Sequence, residues 1–124
     1  MNKNVVKDKT FSFAIRIVKL FKYMCDEKKE YTLSKQLLRC GTSVGAMVTE
    51  AEYAETTKDF LHKLAIAQKE INETIYWLAL LKETEFLESQ HYDSINADAV
   101  EIIKILTSII RSTKKNVANP KSNY

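Results

Sequence analysis

Residues 39–51 read RCGTSVGAMVTEA, and they hold both glycines of the chain, Gly41 and Gly45. The apolar spacing around them is that of a helix, in whose interior each glycine costs ~1 kcal/mol relative to alanine. Two glycines four residues apart lie on one face, where a missing side chain lets another helix approach closely. Gly41 and Gly45 are therefore candidates for helix packing or an oligomer interface. Arg39 and Glu50 flank them as candidates for polar contacts between subunits.

Outward from this segment, the 124 residues contain one proline and two glycines. A β-rich fold needs turn residues at regular intervals, and this chain lacks them. Long helices with short connections remain, in a single domain. The spacing predicts helix 1 over 10–26, with Phe11, Ala14, Ile15, Val18, Phe21 and Cys25 inward and Arg16, Lys19 and Lys22 outside that stripe. The polar run DEKKEYT ends it. Helix 2 is predicted over 33–55, with Leu37, Cys40, Val44, Met47, Ala51 and Ala54 inward. Helix 3 is predicted over 57–82, capped by Thr56 or Thr57 with Asp59 in its first turn. Its seam is Phe60, Leu64, Ala67, Ile71, Thr74, Leu78 and Leu81, with Trp77 on the flank. Helix 4 is predicted over 89–115, with Ile95, Ala99, Ile102, Ile103, Leu106, Ile109 and Ile110 inward. The tail 116–124, NVANPKSNY, is expected to be disordered. Four amphipathic helices with short links predict an all-α, antiparallel up-down-up-down four-helix bundle. Around AETTKDF the pattern of helices 2 and 3 is almost continuous, so one fused helix is the competing reading.

The apolar stretches, such as TIYWLALL, are shorter than the ~20 residues that span a bilayer. The start, MNKNVVKDK, has no apolar signal core. The expectation is a cytoplasmic protein with no membrane partner. Cys25 and Cys40 lack CxxC spacing and read as reduced, buried thiols.

The net charge is +3, and residues 1–30 carry eight basic and four acidic side chains. In an up-down bundle the start of helix 1, the helix 2–3 turn and the end of helix 4 share one end. Lys3, Lys7, Lys9, Lys58, Arg111, Lys114, Lys115 and Lys121 gather there. This is a candidate nucleic-acid-binding surface, against the plainer reading of dipole complementation and solubility.

Catalytic readings find little. Glu88-Ser-Gln-His91 matches the ExxH element of di-metal bundles and Asp59-Phe-Leu-His62 nearly does. Both begin helices, and consecutive helices run in opposite directions, which separates the histidines by roughly 30 Å at 1.5 Å per residue. The carboxylates Glu70 with Glu73, and Glu50 with Glu52, read as a solvated face or a subunit contact. Ser43 sits in GTSVG, which has neither GxSxG spacing nor the lysine of a phosphate loop. Tyr76 and Trp77 can stack on bases, though aromatics at a seam are more often core or interface. No catalytic residue, cofactor or metal is expected.

The segments QLLRCGTSVGAMVTEAEYA (36–54) and KDFLHKLAIAQKEINETIYWLALL (58–81) resemble the four-helix-bundle proteins encoded in intervening sequences of bacterial 23S rRNA genes. Accessory proteins of diversity-generating retroelements belong to the same broad group. FAIRIVKLFK and EIIKILTSII fit more loosely, and the chain departs at Met47 and Thr49, where asparagine and alanine are common. The resemblance implies a left-handed bundle that assembles as a ring, expected to be a homopentamer, with no established catalytic activity. Among possible partners it implies RNA or DNA, or a reverse transcriptase or other nucleic-acid enzyme. Five copies would carry a charge of about +15 and present repeated weak phosphate sites. A noncatalytic homo-oligomer that binds nucleic acid is thus the expected function, and a protein-only oligomeric scaffold is the alternative.

Overall fold

A computed structural model describes residues 3–118, with side chains from Val5 onward. Four helices follow one another: α1 Lys3–Asp26, α2 Thr32–Glu52, α3 Thr57–Glu83 and α4 Ser89–Ala118. Each packs on the next, and α1 closes the bundle against α4 along the sparsest of the four seams. The fused-helix alternative fails at Tyr53–Thr56. There Thr56 leaves helical geometry (φ −134°, ψ 157°) and its hydroxyl accepts from the Asp59 N–H at 3.0 Å, capping α3.

The other two turns use left-handed residues that are not glycine, Lys29 at φ 55° and Glu85 at φ 69°. After α3, the Phe86 N–H reaches back to the Leu81 carbonyl at 2.9 Å and closes the helix end. Before α2, buried Glu30 takes over the capping. Its carboxylate accepts from the N–H groups of Thr32, Leu33 and Ser34 at 3.1, 2.9 and 2.7 Å, while the Ser34 hydroxyl donates to the Glu30 carbonyl at 2.7 Å. Burial alone pushes the Glu30 carboxyl up, but the bonds from Leu33, Ser34 and Thr32 outweigh it and hold it below its ordinary value.

Six of the seven seam residues named for helix 3 are buried, with Phe60 half-buried at its start. Ile95, Ala99, Ile102 and Leu106 of α4 face them. In α2 the buried row is Ser34, Leu37, Cys40, Gly41, Val44, Val48 and Ala51, so Val48 takes the place assigned to Met47. Helix 1 requires a correction. Its core row is Val6, Thr10, Phe13, Ile17 and Met24, whereas Phe11, Ile15 and Val18 are exposed. The helix also starts at Lys3 rather than Thr10, because Val6 belongs to the core and extends the buried row by a turn. Thr10 is tolerated there because its hydroxyl donates to the Val6 carbonyl at 2.8 Å. At the other end, residues 116–118 of the supposedly disordered tail continue α4, and 119–124 lie outside the described residues.

The glycines explain which face of α1 turns inward. A Cβ on Gly41 would stand 2.8 Å from Cγ1 of Ile17, and one on Gly45 would stand 3.3 Å from the Thr10 carbonyl oxygen. Gly41 is the notch that receives Ile17, and Gly45 lets the α1 backbone come close. This is α1 packing on α2 within one chain.

Candidate nucleic-acid interface

The up-down order brings the start of α1, the α2–α3 turn and the end of α4 together, as the 2.9 Å ion pair between Lys7 and Glu52 records. That pair also changes the charge of this end. The Glu52 hydrogen bond holds the Lys7 ammonium above its ordinary pKa, and Lys9 is paired with Glu101 of α4 at 3.2 Å. Between the α2–α3 turn and α4 lies a cleft of about 500 Å³ rimmed by Glu52, Glu55 and the hydroxyls of Thr56, Thr57, Ser112 and Thr113. The end face is therefore of mixed charge. The side chain of Lys3, like Lys121, lies outside the described residues.

The remaining cations behave differently. Lys58, Arg111, Lys114 and Lys115 are all exposed, and none belongs to an ion pair among the described residues. Lys104, which stands outside the end-face group predicted from sequence, joins them. Lys104, Arg111 and Lys115 fall within about 40° of one another at ~100° per residue, forming one stripe down α4. The recurrence of cations at seven- and four-residue steps was the signal available in the sequence. From Lys104 onward α4 holds only basic charged residues, and from Glu88 to Glu101 only acidic ones apart from His91. A basic last turn also complements the helix dipole. Beside the stripe, Gln68, Thr107, Ile110, Arg111 and Lys114 line a shallow depression of about 320 Å³ between α3 and α4, with the Gln68 amide donating to Thr107 at 3.2 Å. Two cations with an amide and a hydroxyl are a donor set suited to phosphate oxygens.

Most of the other singled-out residues have partners inside the chain. Arg39 reaches Glu70 at 3.4 Å and also pairs with Glu73, which accepts the Trp77 indole N–H at 2.9 Å. Tyr76 stands edge-on to Trp77 with centroids 5.0 Å apart and is exposed. Glu50 pairs with Lys63 at 2.9 Å and holds that ammonium above its ordinary pKa. The Ser43 hydroxyl donates to the Arg39 carbonyl at 2.7 Å. His62 and His91 are exposed, and His91 stands 4.0 Å from Glu88. Among the described residues no three His, Cys, Asp or Glu side chains converge as metal ligands. Cys25 is half-buried and Cys40 buried, both as free thiols, and burial pushes the Cys40 thiol up. No helix among the described residues is long and apolar enough to cross a membrane.

The profile of the 23S rRNA-intervening sequence protein matches residues 2–108. The chain belongs to the 23S rRNA-intervening sequence protein family. Its fold is similar to the crystal structure of a protein of unknown function from the S23 ribosomal protein family of Bacteroides thetaiotaomicron. The two are 55% identical, with a TM-score of 0.88 over 90% of this chain and 99% of that one. No curated protein matches the chain.

Proposed function

We infer that this family member is a noncatalytic, homo-oligomeric bundle that holds nucleic-acid backbones against the second half of α4. The observation that carries the reading is the contrast between two sets of cations. Lys7 and Lys9 are neutralised by carboxylates, while Lys58, Lys104, Arg111, Lys114 and Lys115 are exposed without ion-pair partners among the described residues. Unpaired cations on a helix face gain most when phosphates displace condensed counterions, and such contacts give affinity with little sequence discrimination. Repetition of the stripe in an oligomer, a pentamer on the family resemblance, raises the effective concentration of weak sites.

The test is a binding titration of the oligomer against RNA and duplex DNA at several salt concentrations. Replacing Lys58, Arg111, Lys114 and Lys115 by glutamine is expected to weaken binding. On duplex DNA it should also flatten the slope of log K against log salt, by roughly 0.9 for each phosphate that the variant leaves unneutralised. Replacing Lys7 and Lys9 is expected to change it less. Binding that survives the fourfold replacement unchanged removes Lys58, Arg111, Lys114 and Lys115 as the site.

A second reading, a protein-only scaffold, draws on the exposed Tyr76 beside Trp77, Glu73 and Arg39. Tyrosine, tryptophan and arginine are the residues that most often anchor protein interfaces. Absence of salt-dependent binding to any nucleic acid, together with an intact oligomer, favours it.

A further inference from the structure

The cleft between the α2–α3 turn and α4 lies beside the basic stripe and carries the opposite chemistry. Phe60 and Ile109 give it apolar walls, Glu52 and Glu55 give it carboxylates, and no lysine or arginine lines it among the described residues. Its volume of about 500 Å³ is that of a small-ligand site. Two carboxylates without a cation repel phosphate, so the occupant is something that donates hydrogen bonds.

The polar groups of the cleft are only partly used. Glu52 is held by Lys7 at 2.9 Å, whereas Glu55 is exposed and belongs to no ion pair among the described residues. The Thr56 hydroxyl accepts from Asp59, and that of Thr113 donates to the Ile109 carbonyl at 2.7 Å. The hydroxyls of Thr57, Ser108 and Ser112 have no such bond among the described residues. On α4, Ser108 follows Lys104 by one turn and Ser112 precedes Lys115 by one turn. Lys104, Ser108, Ser112 and Lys115 fall within about 80° of one another at ~100° per residue. A backbone held along the stripe therefore passes the cleft.

We propose that the cleft takes one unpaired base, a guanine, from a nucleic acid whose phosphates lie on the α4 stripe. This rests on the α4 reading and adds a preference that phosphate contacts do not supply. A carboxylate only accepts hydrogen bonds. Guanine sets two donors, N1–H and N2–H, side by side, one for each oxygen of Glu55. Adenine and cytosine place an acceptor next to their amino group, and uracil flanks its single N–H with two. Phe60 offers an aromatic surface to the base, as single-stranded loops and bulges require of their readers. The three unbonded hydroxyls suit sugar oxygens.

The experiment titrates the whole chain with five RNA duplexes that differ only in one bulged nucleotide: guanosine, inosine, adenosine, cytidine or uridine. All five carry the same phosphates, so any ranking comes from the base. The guanosine bulge is expected to bind about tenfold tighter than the uridine bulge, the scale on which a two-bond pairing discriminates bases. Inosine, which lacks the N2 amino group, is expected to fall between them. Glu55→Gln removes a negative charge and is expected to tighten all five while erasing the guanosine preference, so the ratio is the readout. Ser112→Leu narrows the cleft and is expected to erase the preference while leaving the slope of log K against log salt unchanged. Circular dichroism confirms that both variants are folded. Equal, salt-dependent binding of all five RNAs, a guanosine preference that Glu55→Gln leaves intact, or inosine equal to guanosine would each overturn the base pocket and leave the α4 reading standing. Absence of binding to all five at low salt would remove both.

Discussion

Glu30 is the residue whose chemistry reaches furthest into stability. Its ionised carboxylate satisfies three N–H groups at the start of α2 that would otherwise be left without partners inside the fold. The folded carboxyl lies below its ordinary value of 4.5. A depressed carboxyl contributes stability that is fully present above the unfolded value. That contribution is lost as the pH falls through 4.5 toward the folded value. Glu30→Gln is expected to cost about 1–2 kcal/mol at neutral pH, the scale of a missing helix cap. The difference from wild type is expected to shrink as the pH drops below 4.5. Urea denaturation at neutral and acidic pH checks both. An equal cost at every pH would mean that the ionised form does not hold the cap.

At the scale of the element, α1 and α2 are set by the Gly41 notch. Ile17 is β-branched and fully buried, so it has no free end to swing away when a Cβ intrudes at 2.8 Å. Gly41→Ala is expected to destabilise by about 1–2 kcal/mol, overpacking outweighing the ~1 kcal/mol gain in helix propensity. Gly45→Ala is expected to cost less, since its closest approach is 3.3 Å. Chemical denaturation of both variants gives the order, and the reverse order would refute the notch. The same pair of helices shows what could be read from the sequence. The helix 3 seam and most of the helix 4 stripe were legible because Phe60, Leu64, Ala67, Ile71, Thr74, Leu78 and Leu81, and then Ile95, Ala99, Ile102 and Leu106, alternate three- and four-residue steps without a break. Helix 1 is apolar on two opposite faces, both at three- and four-residue steps, so periodicity could not choose between them. The choice lies in Gly41, a residue of another helix. The candidate site was half legible for a similar reason. The positions of the cations follow from topology, but the neutralisation of Lys7 by Glu52 joins residues far apart in the chain.

Across the whole molecule, the four seams differ in kind. The α1–α4 seam is the sparsest and leans on polar contacts at its surface. Arg16 meets Asp98 at 2.7 Å and Ser94 at 3.1 Å, and Lys9 meets Glu101 at 3.2 Å. Exposed ion pairs are worth little and weaken with salt. Amide hydrogen exchange in α1 is expected to exceed that in the buried stretch of α3, with the gap widening as salt is raised. Uniform protection across the four helices would contradict this. The abrupt change of sign along α4 has a further effect, felt before anything touches. A helix negative over one half and positive over the other experiences a torque near a polyanion, so the molecule swings its lysine-bearing half forward during approach. That aiming acts over about 10 Å at ordinary ionic strength, and it would speed productive encounters without strengthening the final grip.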